Sequence, residues 1–335
     1  MNPIKRLSLS IYVWLMGVAG FIALAAEAYR KLGHAGAIEN EAWFIHGVTG
    51  TVHQLSQQRR AVIDGAVRLK TGVKGKTEPF NRLGQIRMTQ QTVRDAQTQY
   101  SNPAQTKRRA TLNDFACAVL IDDFDELKTL TDPTSELSQI LAISLQVQKD
   151  LLAFPQSTTN VGGILGTAET VDEGANTSSA TSFVAGQQIA NGGAGLTMTK
   201  IRAAKRIMGE GSVVQNDHFF FYSPKGMEQL MSDPTATSSD YSTINALMSG
   251  GFSMDATWYG AKWRESTQLF KTGNIRSCLR VQKECVGMAL GLVKEVELGR
   301  DPSRWNNKFA MVKLSGGVVR VDDAGVVQVD IDESV

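Results

Sequence analysis

The sequence predicts a mixed α+β fold, with a helical middle section followed by a C-terminal third that is rich in strands. A long helical pattern starts at Asp132-Pro133, and strand-like patterns occupy 281–298, 309–314 and 317–329. Helices and strands do not alternate regularly, which argues against a doubly wound sheet. The chain has 335 residues, of which 42% are hydrophobic and 20% are charged. It is therefore long enough and apolar enough to fold around a sizeable core.

The long helix is predicted from Asp132 to Phe154. Asp132 can accept hydrogen bonds from the first turn, Pro133 suits the first helical position, and Glu136 lies where a negative charge favours the helix dipole. Apolar residues then recur on one broad face until Pro155 ends the pattern. About 22 residues give a helix of roughly 33 Å, which is long for a single globular element.

Shorter elements flank this helix. Their predicted positions are a helix over 196–208 that Thr197 or Thr199 caps, a strand over 218–222, a helix from Ser223-Pro224 to Ser232, a helix from Ser239-Asp240 to Met248, and two strands within 317–329 joined by a turn at 322–325. The Gly- and Lys-rich stretch 71–84 predicts a mobile loop. From there to Lys107 the chain is polar and Gln-rich, and such a segment is more useful between subunits than within one.

The net charge of +2 hides two neighbouring blocks of opposite sign. Between Arg59 and Arg109 there are twelve Lys or Arg residues and three acidic residues, a balance of +9. Between Asp114 and Glu136 there are seven acidic residues and one lysine, a balance of −6. The distribution of charge, more than its total, therefore indicates where partners bind.

No motif in the sequence predicts catalysis, a cofactor or a metal site. Gly75-Lys76-Thr77 ends like a phosphate-binding loop, but Lys70 stands where the motif needs a glycine. The glycine-rich stretch 162–166 does not follow a strand, as a dinucleotide-binding loop would. The acidic stretch 121–127 lacks the glycine and the spacing of a calcium loop. Three cysteines without C-x-x-C spacing predict free thiols in a reducing compartment.

The apolar run Leu9–Ala26 is the clearest local feature of the N-terminal region. As a helix it would span roughly 27 Å, close to the thickness of a bilayer's hydrocarbon core. Three interpretations remain open: a membrane anchor or signal peptide, a hydrophobic arm that packs within an assembly, and an upstream extension outside the working protein.

A series of short segments between Trp43 and Val329 carries the strongest indication of a family. The segments are Leu55–Gln58, Gly75-Lys76, Phe80–Gly84, Leu112–Phe115, Leu120–Glu126, Asp132–Ser135, Gly195–Thr197, Tyr222–Pro224, Ser238–Tyr241 and a closing hairpin at Gly317–Val321. In order and spacing they resemble the major capsid proteins of tailed bacteriophages, particularly the podovirus-like marine phage group. Residues 1–40 depart from that pattern.

The resemblance implies the Hong Kong phage-type capsid fold and a division of the chain. The implied parts are an apolar N-terminal extension at 1–40, an N-terminal arm at 41–81, an extended loop at 82–110, a peripheral domain with the spine helix at 111–157, an axial domain at 158–272, and C-terminal strands of the peripheral domain at 273–335.

The same resemblance implies a structural subunit that assembles with itself into hexamers and pentamers of an icosahedral shell around double-stranded DNA. Scaffold, portal and decoration proteins are possible partners, and non-specific contact with packaged DNA is a further role for the basic segment. The expected location is the virion, with assembly in the host cytoplasm. No enzyme activity and no cofactor are expected.

Opposite charges on neighbouring copies form the candidate contact site. The candidate residues are Arg59, Arg60, Lys74, Lys76, Arg82, Arg87, Lys107, Arg108, Arg109, Asp122, Asp123, Asp125 and Glu126. On this hypothesis the region 59–109 packs on neighbouring subunits and not on its own. Changing Lys107, Arg108 and Arg109 to Glu is then expected to leave a folded subunit that forms no shells.

The competing hypothesis is a membrane-anchored or exported binding protein that uses Leu9–Ala26. Fractionation separates the two, because a capsid subunit sediments as particles whereas an anchored protein stays with membranes at high salt.

Overall fold

The computed structural model describes residues 60–90, 92–94, 97, 100–123, 134–154, 162–172, 177–233 and 256–335. Several predictions lie outside the described residues: the run Leu9–Ala26, the arm before residue 60, the cap at Asp132 and the helix over 239–248. Arg59, Asp125 and Glu126 also lie outside them.

Three α-helices and fifteen strands make up the described part of the chain. The helices are α1 (Thr134–Ala153), α2 (Met198–Glu210) and α3 (Pro224–Ser232). The strands are β1 (Arg68–Thr71), β2 (Thr77–Leu83), β3 (Gln105–Thr111), β4 (Asn113–Ile121), β5 (Ala168–Asp172), β6 (Thr177–Thr181), β7 (Gln188–Ile189), β8 (His218–Tyr222), β9 (Ala256–Trp258), β10 (Ala261–Glu265), β11 (Lys271–Thr272), β12 (Ile275–Gln282), β13 (Val286–Asp301), β14 (Asn307–Arg320) and β15 (Val326–Asp332). The predicted α+β class is confirmed.

The strands form three sheets. A seven-stranded sheet has the order β7-β15-β12-β8-β10-β9, with β11 paired to β12, and two four-stranded sheets have the orders β1-β13-β14-β4 and β2-β3-β5-β6. The chain also divides into two compact units. Described residues 117–123, 134–141 and 296–312 belong to one unit, and the remaining described residues to the other.

Strand β8 lies at the centre of the larger unit's core. It pairs antiparallel with β12 and parallel with β10, and all five of its residues are buried. The Phe220 ring lies 4.4 Å from that of Trp263, and the Phe221 ring lies 5.1 Å from that of Phe154. Neighbouring residues of a strand point to opposite faces, so both faces of β8 are covered. This explains why the strand is largely apolar, and its predicted bounds are confirmed.

The helix predictions hold closely where residues are described. Helix α1 ends at Ala153, next to Phe154, and α3 begins at Pro224. The Ser223 hydroxyl accepts a hydrogen bond from the Gly226 N–H at 3.1 Å, as expected of a cap. Helix α2 starts two residues later than predicted, and Thr197 at its N-cap position makes no side-chain capping bond.

The two strands and the turn predicted within 317–329 are present, but the strands do not pair with each other as a hairpin. Strands β14 and β15 are joined by a turn over 321–325, but they pair in different sheets. Strands β12 and β15 join the seven-stranded sheet beside β8, because their buried residues complete its core. The seven-stranded sheet therefore contains strands from both sides of the predicted 272–273 boundary.

The stretch 71–84 is not a loop throughout, because residues 77–83 form β2. Phe80 on this strand is fully buried and pairs with Arg108 on β3. It packs so closely on Gly287 that a Cβ atom there would lie 2.6 Å from the ring. A single aromatic side chain thus provides the core anchor that the polar composition concealed.

The segment 60–67 also packs on its own subunit, which corrects the expectation for the whole of 59–109. Its apolar side chains at 61, 62, 63, 66 and 67 are buried in the main core. The buried Asp150 carboxylate on α1 accepts hydrogen bonds from the N–H groups of Val62 and Ile63, both at 3.0 Å. The Arg264 guanidinium donates to the carbonyls of Val62 and Asp64, both at 2.6 Å. These bonds fix the turn because a buried peptide group needs a partner.

Replacing Asp150 with asparagine is expected to lower the free energy of unfolding by about 1–3 kcal/mol. The amide has one acceptor oxygen, so one of the two buried N–H groups would face an NH₂ donor. Urea denaturation measures the change. The control is Lys149→Gln. The Lys149 ammonium lies 3.9 Å from the partly exposed Asp64 carboxylate, and the loss of this long ion pair should cost under about 1 kcal/mol. Equal effects for both variants would contradict the assigned role of Asp150.

Candidate functional site

The segment between β2 and β3 extends beyond the paired part of the two strands. Their antiparallel register runs from Thr77 opposite Thr111 to Leu83 opposite Gln105. The last bond joins the Gly84 N–H to the Ala104 carbonyl at 2.8 Å. The described residues between them, within 85–103, form neither helix nor strand, and nearly all are exposed. We call residues 84–104 the projecting loop.

Large apolar side chains on and beside the projecting loop face solvent. Leu83, Ile86, Met88, Val93 and Tyr100 are each more than half exposed. Met88 and Tyr100 are almost wholly exposed. Apolar side chains concentrated in this way mark a surface that another molecule covers.

The predicted basic residues fall into three groups. Arg60, Lys74, Lys76 and Arg87 are exposed. Arg82 lies 3.7 Å from Asp322, Arg109 lies 3.7 Å from Glu169, and Lys107 is half-buried. The pairs of Arg82 and Arg109 are partly exposed and long, so each contributes little to stability.

Arg108 forms the third group, because its side chain points into its own subunit. Only 2% of the residue is exposed. Its guanidinium binds both carboxylate oxygens of Asp323, at 2.9 and 2.6 Å, and the Arg320 carbonyl at 2.8 Å. The predicted inter-subunit role of Arg108 is corrected, and a glutamate at 108 would instead face Asp323 in the interior.

Arg320 completes a buried charged cluster with Arg108 and Asp323. Its guanidinium binds the Asp323 carboxylate and donates to the carbonyls of Ile164 at 2.9 Å and Gly166 at 3.1 Å. One carboxylate thus links the base of the projecting loop on β3 to the end of β14 and to the segment 164–166. The charged cluster gives the projecting loop a rigid base.

The titration of the charged cluster follows from this geometry. Burial favours the neutral form of Asp323, but hydrogen bonds and positive charge from Arg108 and Arg320 outweigh it, so the Asp323 pKa lies below its usual value. Burial lowers the pKa of Arg320.

Sequence reasoning assigned Asp323 only to a turn and missed Arg320. The available signal was one arginine within Val318–Val321, since a charge in a buried strand needs a partner.

The acidic candidates lie at the end of β4. Asp122 and Asp123 are both half-buried. Asp123 accepts a hydrogen bond from Arg300 at 3.0 Å, so this carboxylate has a partner within its own subunit. The contact of Asp122 with a neighbour stays a prediction.

The described residues bring no three His, Cys, Asp or Glu side chains together as a metal site would require. Cys278 and Cys285 are buried, and burial raises the pKa of each thiol to about 12. Cys117 is exposed, and all three thiols are free. No helix in the described part of the chain combines the length and apolar character needed to cross a membrane.

The described residues thus combine a folded body with a loop that exposes large apolar side chains to solvent. The phage capsid protein family matches residues 41–333, and the chain belongs to that family. It is a major capsid protein, a structural component of the virion that assembles into a multimeric shell. A search of curated proteins finds no match.

Solved structures show the same fold. The capsid of Ralstonia phage GP4 is 12% identical and aligns over 84% of this chain and 94% of its own, with a TM-score of 0.65. A chain in the structure of Mycobacterium phage Che8 is 16% identical. It aligns over 88% of this chain and 98% of its own, with a TM-score of 0.59. The capsid of cyanophage P-SCSP1u is 14% identical over 88% and 96%, with a TM-score of 0.56. The predicted Hong Kong phage-type capsid fold is confirmed.

Proposed function

We propose that the subunit forms hexamers and pentamers of an icosahedral shell around double-stranded phage DNA, without catalysing a reaction. The exposed apolar side chains of the projecting loop are the observation that carries this proposal. They contact little of their own subunit and lose exposed apolar surface only when a neighbour covers them.

The charged cluster supports docking of the projecting loop on a neighbouring copy. Because Arg108 on β3 is fixed by Asp323 and Arg320, the loop leaves the subunit from a defined position. The loop therefore combines a fixed base with exposed apolar side chains that a neighbour can cover.

Exposed charges set the register of these contacts. Lys74, Lys76 and Arg87 face solvent, and we assign them to acidic surface on a neighbour that includes Asp122. Each pair is weak and screened by salt, but repetition over many subunits orients the copies. The same lysines and arginines can bind phosphates of packaged DNA without sequence preference.

The division into an arm at 41–81, an extended loop at 82–110, a peripheral domain and an axial domain remains part of the proposal. The pairing of β2 with β3 around the projecting loop supports the extended loop. Assembly in the host cytoplasm, and contacts with scaffold, portal and decoration proteins, also belong to the proposal.

Expression of the full chain tests the function. We expect closed particles of uniform size in negative-stain micrographs and rapid sedimentation. A chain that stays with the membrane fraction after a high-salt wash would favour the alternative based on Leu9–Ala26. A chain that remains a dispersed monomer under all conditions would contradict the proposal.

A further inference from the structure

The turn between β13 and β14 holds a tryptophan in solvent. Trp305 is 87% exposed, although tryptophan is among the side chains that gain most from burial. The sequence gives no apolar neighbour to explain it, since Trp305 stands in the polar stretch 301–307. An exposed large aromatic residue of this kind is typical of the centre of a protein interface.

The turn is held rigidly in this shape. Asp301 accepts hydrogen bonds from the N–H and the hydroxyl of Ser303, at 2.9 and 2.6 Å, and the Arg300 guanidinium donates to the Asn306 carbonyl at 3.1 Å. Trp305 and Asn306 have φ values of 52° and 59°. Two successive non-glycine residues in the left-handed region are unfavourable, so side-chain bonds maintain a backbone that presents the indole outward.

A groove of about 500 Å³ lies in the same compact unit. Its lining includes the apolar residues Ala118, Leu120, Phe309 and Met311 and the charged residues Arg300, Asp301 and Arg304. Apolar walls accept an aromatic ring, and guanidinium groups stack on the face of an indole. The chemistry of the groove therefore matches a tryptophan side chain.

We infer that Trp305 of one copy inserts into the groove of a second copy in the assembled shell. The indole does not fill the groove of its own subunit, because it is 87% exposed there. Each copy carries both the tryptophan and the groove, so every copy in an assembly can make the same contact. This inference rests on the proposed function, since it needs an assembly of copies.

Substitution of Trp305 tests the energetic role of the contact. Trp305→Ala is expected to leave a folded subunit and to raise the protein concentration needed for particle formation at least tenfold. Trp305→Phe should raise that concentration less, because its ring keeps part of the contact. Val214→Ala is the matched control, because Val214 is 64% exposed in the other unit. If the wild type forms particles and Trp305→Ala forms them equally well, the shell proposal stands and this contact is overturned.

Disulfide trapping tests the position of the contact. Ala118→Cys and Trp305→Cys are combined in a Cys117→Ser background, in which the other two thiols are buried. Oxidised particles are expected to give a ladder of linked subunits that requires both new cysteines. Links formed by Trp305→Cys alone would mean that the turns meet one another. A link within one subunit, or none in intact particles, would also overturn the inference.

Discussion

Replacing Asp323 with asparagine is expected to lower the free energy of unfolding of the subunit by about 3–5 kcal/mol. The carboxylate binds two buried guanidinium groups, Arg108 and Arg320. Its loss leaves two positive charges close together in the interior with no anion between them. The carbonyls that also bind Arg320 cannot neutralise that charge. Urea denaturation of dispersed subunits measures the change.

The neighbouring Asp322 supplies a matched control. Its carboxylate lies 3.7 Å from Arg82, and both side chains are more than a third exposed. Asp322→Asn should therefore change the free energy of unfolding by no more than about 1 kcal/mol. Similar effects for the two variants would show that Asp323 is only a turn residue and that the charged cluster does not hold β3.

The contribution of Asp323 is expected to depend on pH in acid. An unfolded chain has an aspartate pKa of about 3.9, and the folded value is lower because Arg108 and Arg320 favour the carboxylate. A depressed folded pKa gives a contribution that is complete above the unfolded value and is lost as the pH falls through the folded value. The stability difference between wild type and Asp323→Asn should thus be constant near neutrality and shrink below about pH 4. A difference that grew in acid would contradict this assignment.

The second large effect is expected from the projecting loop. Changing Ile86, Met88 and Tyr100 together to serine should leave a soluble, folded subunit that forms no shells. Each side chain loses about 1.5–3 kcal/mol of apolar burial at a neighbour, repeated at every contact. All three are already exposed in the single subunit, so its free energy of unfolding should change little. Sedimentation velocity and negative-stain microscopy measure assembly.

A control with the same chemistry is available outside the projecting loop. Val184, Val214 and Ile275 are also exposed apolar residues, and none lies near β2 or β3 in sequence. Their combined change to serine should leave particle formation intact. Particles of normal size and yield from the loop variant would refute a role for 84–104 in assembly.

Local signals predicted the elements that local chemistry determines. The cap at Ser223 with Pro224, the run of aromatic residues at 218–222 and the proline after Phe154 act within one turn or one strand. The structure follows all three. The family resemblance supplied the fold class and function, which no single motif in the sequence carries.

Features that depend on distant pairing were not predictable from the sequence. The burial of Arg108 requires Asp323, which lies 215 positions further along the chain. The burial of 60–67 requires Asp150 and Arg264 on other elements. The prediction from the +9 charge balance of 59–109 took all its residues as one exposed surface, whereas the structure buries part of that segment. The projecting loop remains mostly exposed, as do most residues of 68–76.

Amide hydrogen exchange over residues 84–104 tests the central claim most directly, by comparing dispersed subunits with assembled particles. If this segment docks on a sibling, its amides exchange rapidly in the dispersed chain and much more slowly in the shell. Equally rapid exchange in both states would mean that the shell is held together elsewhere.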